Sequence, residues 1–240
     1  MQQSRIAELL QPYLGPQDGA RLPPDALDHI STYIDLLLRW NARVNLTAIR
    51  NEEEIVTRHF GESFFAARHL FPLHSSTSPA VKEADGPPHA APPIDEVTVA
   101  DLGSGAGFPG IPLKLWAPEI SLTLIESNHK KAAFLREVAR ALTLTDINIQ
   151  NARAESLPSA SFQLVTLRAV ERFQSILPVA ASLSAPHGRL ALLIGEAQLT
   201  QAHATLPALI WSEPIPIPGS HSRIMAIADT SSTAMRVPKV

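Results

Sequence analysis

The chain has no cysteine, which excludes disulfides and thiolate metal sites and fits a reducing compartment. Aromatic residues make up only 5% of it, which argues against a surface that holds single strands by base stacking. Basic charge is not in excess either: 20 Lys and Arg stand against 23 Asp and Glu, for a formal net charge of −3. Without a global positive field, nucleic-acid contact has to come from a local patch or from a folded target. Long apolar runs are also missing. The stretch Met1-Gln2-Gln3-Ser4-Arg5-Ile6 has no signal-peptide core, and no run of 18 apolar residues is present to span a membrane. A soluble, cytoplasmic, monomeric protein without a metal is the expectation.

What is present is apolar side chain, 45% of 240 residues, ample for one large domain or one domain with an appendage. Residues 1–71 read as a helical extension. Leu27, Ile30, Tyr33, Ile34, Leu37 and Leu38 recur at helical spacing between Asp25 and Thr47. Asn51 is placed to cap a second helix whose first turn holds Glu52, Glu53 and Glu54, the charge sign that a helix N-terminus favours. That helix is expected to run to about Leu70. Residues 72–95 are rich in Pro, Ser and Ala and read as a flexible insertion or linker, with His74 and His89 as solvated linker residues.

From residue 96 to 240 strands and helices alternate. Strands are predicted at Val97–Asp101, Leu122–Glu126, Ile147–Gln150, Gln163–Arg168 and Arg189–Ile194, and helices near Pro109–Ala117, His129–Leu142, Phe173–Leu183 and Glu196–Thr205. Ala208–Ile217 and Arg223–Ala228 suit a closing antiparallel hairpin. This is an α/β pattern: a mostly parallel, Rossmann-like sheet of seven strands, covered on both faces, with ligands at the carboxyl ends of the strands. No internal repeat is present.

The run Asp101-Leu102-Gly103-Ser104-Gly105-Ala106-Gly107-Phe108-Pro109-Gly110 joins the first strand to the first helix. Glycines at 103, 105 and 107 let a ligand approach the backbone. Asp101 would repel a pyrophosphate and welcome a cationic sulfonium with its ammonium group, which points to S-adenosylmethionine. Gly105 to Gly110 also satisfies the dinucleotide pattern, with Glu126 about 20 residues on where a ribose-binding acid belongs. An NAD-dependent oxidoreductase is therefore the alternative on residues alone. Glu126 at the second strand end can accept from ribose hydroxyls in either case. Lys130 and Lys131 stand in the first turn of the next helix, where cations oppose the macrodipole. A phosphate-facing role and simple tolerance at an exposed site both explain them. Ala154 and Glu155 follow the third strand, on the lip where adenine would sit. Arg168 closes the fourth strand, over the cofactor's reactive end, with Arg172 nearby.

These residues resemble the RsmG family (glucose-inhibited division protein B), bacterial methyltransferases acting on a guanine ring nitrogen of small-subunit ribosomal RNA. The matching stretches are Trp40-Asn41-Ala42-Arg43-Val44-Asn45-Leu46-Thr47, Arg58-His59-Phe60-Gly61-Glu62-Ser63, Asp101 to Leu113, Glu126 to Leu135, Arg153-Ala154-Glu155 and Arg168-Ala169-Val170. The resemblance implies a class I methyltransferase fold, S-adenosylmethionine as cofactor, and contacts to it from Gly103, Phe108, Ala154, Glu155 and Arg168. It implies methylation of guanine N7 in 16S ribosomal RNA, free or in the small subunit. A non-catalytic ribosome-assembly factor with the same fold is a further alternative. Glu62 stands where the family usually shows Asp, and Ile194 where it usually shows Lys.

The chemistry expected agrees with what is missing. No Asn/Asp-Pro-Pro-aromatic tetrapeptide follows the fourth strand to hold an exocyclic amine, and no cysteine exists to attack a pyrimidine carbon. Guanine N7 needs neither, because its in-plane lone pair is already nucleophilic. Arg168 is expected to orient the base. Arg39, Arg43, Arg50, Arg58, Lys130, Lys131, Arg136 and Arg140 are candidates for a phosphate track.

Overall fold

The computed structural model describes residues 1–15, 22, 24–72, 97–170 and 172–230. The insertion assigned to 72–95, with His74 and His89, lies outside the described residues apart from Pro72.

The chain opens with α1 (Gln3–Leu10), α2 (Ala26–Asn41), α3 (Glu52–Glu54), a π-helical segment Ile55–Gly61, and α4 (Glu62–Leu70). Helix α2 buries Ile30, Tyr33, Ile34 and Leu37, the apolar stripe of its 3.6-residue period. It stops at Asn41, short of the predicted Thr47, and Asn41 supplies the reason. Its Oδ1 accepts from the Leu46 and Thr47 N–H groups and its Nδ2 donates to Thr47 O, a side-chain alternative to further helix. Asn51 caps as expected, its Oδ1 accepting from Glu54 N–H at 3.0 Å. The sequence predicts one regular helix after it; the middle of that helix is instead π-helical. A Cβ at Gly61 would lie 2.6 Å from the Tyr13 ring, so the close crossing of these two segments requires glycine.

The remainder alternates as predicted: β1 (Thr98–Leu102), α5 (Gly110–Trp116), β2 (Ser121–Ile125), α6 (His129–Ala141), β3 (Ile147–Gln150), β4 (Phe162–Arg168), α7 (Phe173–Leu183), β5 (Ser184–Gly195) and α8 (Leu199–Thr205). Three strands close the sheet: β6 (Ile210–Trp211), β7 (Ile215–Pro216) and β8 (Arg223–Asp229). The strand predicted over 208–217 is thus two short pieces, both paired antiparallel to β8. Pro214, which has no N–H to donate, lies between them. The sheet order is β3-β2-β1-β4-β5-β8-β6, with β1 to β5 parallel and β8 antiparallel. The strand order reverses at β1, which β2 and β4 flank, and there the carboxyl ends open a crevice.

Alternate residues of each strand feed opposite cores. Val99, Leu122, Leu124, Leu164, Ala191 and Leu193 join the N-terminal helices in one cluster, which includes Ile6, Ile30, Tyr33, Phe60 and Phe64. Ala100, Leu102, Val165, Leu167, Leu190, Leu192 and Ile194 join α7 and α8 in the other. The helical extension and the sheet therefore share a core. Among the described residues no helix is long and apolar enough to cross a membrane.

Candidate active site

The glycine loop leaves β1 and is tied to the end of β2. The N–H groups of Gly103 and Ser104 donate to Ile125 O at 2.9 and 3.2 Å. Gly103, Gly105 and Gly107 have φ of 66°, 54° and 87°, conformations that side chains disfavour. They serve different ends. Among the described residues, a Cβ on Gly105 would meet nothing nearer than Gly103 O at 3.6 Å, so the space above it is open. A Cβ on Gly107 would collide with the Tyr33 hydroxyl and lie 2.8 Å from Ile111 Cδ1. Gly107 is therefore needed for packing.

From sequence, Asp101 is expected to meet the cofactor. In the structure it is fully buried and turned beneath the loop: Oδ1 accepts from Thr166 Oγ1 at 2.9 Å and Oδ2 from Gly110 N–H at 3.3 Å. Burial pushes its carboxyl up to about 6, against the pull of those hydrogen bonds. Glu126 clamps the loop from the next strand. Its Oε2 accepts from Gly105 N–H at 2.9 Å and its Oε1 from Asn128 N–H at 2.7 Å. Each oxygen keeps a second lone pair. Beyond β3, a short 3₁₀ turn (Ala154–Ser156) buries Ala154 and exposes Glu155. Asn128 caps α6 through the N–H groups of Lys130 and Lys131; Lys130 is exposed and Lys131 half-buried.

Arg168, at the end of β4, does not lie free over the crevice. Its Nη1 bonds His59 Nδ1 at 2.9 Å, and its Nη2 donates to Arg58 O at 2.6 Å and to Glu62 Oε2 at 3.3 Å. Three of its five N–H donors are thereby engaged, leaving Nε–H and one Nη1–H. Arg223 Nη2 lies 2.6 Å from Glu62 Oε1, and Arg58 Nε lies 3.9 Å from the same oxygen. Three guanidiniums thus converge on one buried carboxylate. Among the described residues, Arg58 Nε, Arg223 Nε and Glu62 Oε1 are buried without a hydrogen-bond partner. Phe108 lies between His59 and Tyr33, stacked on the first at 4.6 Å and on the second at 5.2 Å.

A family model described as GidB, rRNA small subunit methyltransferase G, matches residues 26–75 and 89–217. The chain belongs to this family. Two curated relatives of the GidB family, both named ribosomal RNA small subunit methyltransferase G, agree over most of their length. The one from Halorhodospira halophila is 38% identical over 186 residues, covering 78% of this chain and 77% of the relative. The one from Roseiflexus sp. is 34% identical over 234 residues, covering 92% and 91%. Among solved structures, a ribosomal protein L11 methylase from Lactobacillus delbrueckii subsp. bulgaricus superposes with a TM-score of 0.52 at 17% identity, over 72% of this chain and 79% of that one. That likeness is one of fold.

The GidB fold gathers Asp101, Gly103, Gly105, Glu126 and Arg168 around the end of β1. Gly107 and Phe108 lie on its inner side, against Tyr33, and Glu155 stands outside on its own turn. His59, Glu62 and Arg223 receive no role from sequence. The spacing of Arg58 and His59, four and three residues before Glu62 on one helix, was a usable signal, since residues i, i+3 and i+4 share a face. Arg223 had none: it arrives through the antiparallel pairing of Gly195 with Arg223. Ile194 is buried in the second core, so this position contributes apolar area where a lysine would contribute charge.

Proposed function

We propose that this chain, acting as a monomer in the cytoplasm, transfers the methyl group of S-adenosylmethionine to N7 of a guanine in 16S ribosomal RNA. Membership of the rRNA small subunit methyltransferase G family carries the reading, because the family match spans the loop, Glu126 and Arg168. The residues suit the cofactor. Open space over Gly105 leaves room for its methionine portion, and the spare lone pairs of Glu126 face where ribose hydroxyls would be bound. Ala154 and Glu155 would border the adenine. Gly103 and Phe108 would hold the loop to it, and Gly107 would keep the loop packed. Asp101 acts from below, as the support of the loop and of the start of α5. The break in the family match between residues 75 and 89 supports reading 72–95 as an insertion between a helical extension (1–71) and a methyltransferase domain (96–240).

Bound S-adenosylmethionine supplies an electrophilic methyl on a good leaving group. The chain's part is alignment, which is worth several orders of magnitude when reacting atoms are held in line. Guanine N7 attacks through its in-plane lone pair, so no base is required. Arg168 orients the target. Two donors at both O6 and N7 would occupy the attacking pair; with three N–H groups already engaged, Arg168 is suited to a single bond, to O6 or to a phosphate. Lys130, Lys131 and the arginines of the N-terminal helices would guide the RNA backbone.

The test is transfer of labelled methyl to small subunits and to free 16S ribosomal RNA from cells lacking this enzyme, followed by mapping of the base. One guanine methylated at N7 is expected. No incorporation would make the chain a binding factor, and a rise in melting temperature with NAD in place of S-adenosylmethionine would make it an oxidoreductase.

A further inference from the structure

His59 touches both the glycine loop and Arg168, and the contacts fix its state. Arg168 has only donors, so the 2.9 Å contact makes His59 Nδ1 the acceptor. The proton of the neutral ring is then on Nε2, donated to Thr47 Oγ1 at 2.9 Å. Thr47 Oγ1 also accepts from Ile49 N–H at 3.1 Å, which anchors that end of the chain of bonds. The face of the same ring stacks on Phe108, 18° from parallel, and Phe108 stacks in turn on Tyr33. The Tyr33 hydroxyl donates to Ala106 O, within the loop. The charged groups around the ring are Arg58, Arg168 and Arg223, with Glu62 behind Arg168. A protonated ring would lose the acceptor and add a fourth cation. Burial and the three guanidiniums accordingly push the imidazole down to about 3.

We infer that His59 is a positioning residue for methyl transfer: its edge orients Arg168 while its face holds Phe108 of the cofactor loop, so that seating the cofactor and placing Arg168 are coupled. The inference rests on the methyltransferase reading above. A core histidine serving packing alone would need neither the arginine nor the loop.

Two substitutions separate the edge from the face. His59→Phe keeps an aromatic surface for Phe108 and removes the acceptor. Its affinity for S-adenosylmethionine by calorimetry should stay within about threefold of wild type, while kcat falls by roughly tenfold or more, the cost of a lost charge-assisted bond. His59→Gln keeps an acceptor and a donor but has no ring. It should weaken cofactor binding by roughly two- to tenfold, the worth of an aromatic pair, with the smaller effect on kcat. Parallel losses of affinity and kcat in both variants would reduce His59 to a structural residue. The imidazole ¹⁵N resonances of the intact protein give a readout without activity. A neutral Nε2–H ring that does not titrate from pH 5 to 8 is expected, and Arg168→Ala should release it to mixed tautomers and a higher pKa. An Nδ1–H ring, or one charged at pH 6, would overturn the inference. If the wild-type chain transfers no methyl group, the methyltransferase reading falls, while the cofactor affinities and the ¹⁵N spectra still decide whether His59 links the loop to Arg168.

Discussion

Burial pushes the Asp101 carboxyl up from 3.8 to about 6, while burial and three guanidiniums push His59 down from 6.5 to about 3. These shifts act on stability in opposite senses. Asp101 holds its proton more tightly in the folded chain, so its contribution is full below pH 3.8 and is lost as pH rises through 6. His59 resists protonation when folded, so its contribution is full above pH 6.5 and is lost as pH falls towards 3. Between about pH 4 and 6 the two offset one another. Asp101→Asn keeps the shape and removes one side of the balance. The unfolding free energy from urea titrations across that window should then fall more steeply with acid, by up to roughly 1 kcal/mol per pH unit. At Arg168 the proposed orienting role predicts an effect on the reaction. Arg168→Ala should slow single-turnover transfer about 100-fold at saturating cofactor and RNA, the usual size of a lost alignment. The glycines divide similarly. Gly107→Ala should destabilise the fold by more than Gly105→Ala, because only its Cβ meets Tyr33 and Ile111. Gly105→Ala should lose about 1 kcal/mol to its backbone conformation but weaken S-adenosylmethionine binding out of proportion, as calorimetry beside thermal unfolding will show.

Among the elements, α6 would carry the clearest conflict between stability and the proposed RNA contact. Asn128 caps its N-terminus well, yet Lys130 and Lys131 follow at once, where the helix dipole disfavours cations. Replacing both with alanine should stabilise the chain at low salt by about 0.3–1 kcal/mol per lysine. The same double variant should bind small-subunit RNA more weakly and with a shallower dependence on salt, because fewer counterions are released. Unchanged RNA binding across salt concentrations would remove α6 from the phosphate track. The π-helical segment is a second element shaped by its surroundings. It brings the Arg58 carbonyl, His59 and, one turn on, Glu62 to the same guanidinium, and π segments recur at functional sites.

For the whole molecule, the shared core decides how the parts depend on each other. Tyr33, Phe60 and Phe64 of the N-terminal helices lie in one cluster with Phe108, Ile111 and Leu124. A chain beginning at residue 96 would expose that face of the sheet and the inner side of the loop. It should show no cooperative unfolding transition and should bind a hydrophobic dye, in contrast to the full chain. Glu62 extends the same dependence to charge: without the helices, Arg168 and Arg223 would lose their buried carboxylate.

The alternation of strands and helices, the two-faced apolar pattern, the Asn51 cap and the glycine loop with Glu126 downstream were all legible in the sequence. They depend on periods of two and 3.6 residues and on backbone conformations that particular residues prefer, all of which are local properties. The C-terminal end of α2 and the split of the strand at 208–217 were less legible, because Asn41 and Pro214 act against the surrounding pattern. What the tertiary structure alone decided is the wiring of the site. Asp101 turns inward to Thr166, and His59 and Glu62 meet Arg168 and Arg223 across more than 100 residues of chain. Those meetings follow from strand register and from the packing of the N-terminal helices on the sheet, which no local pattern encodes.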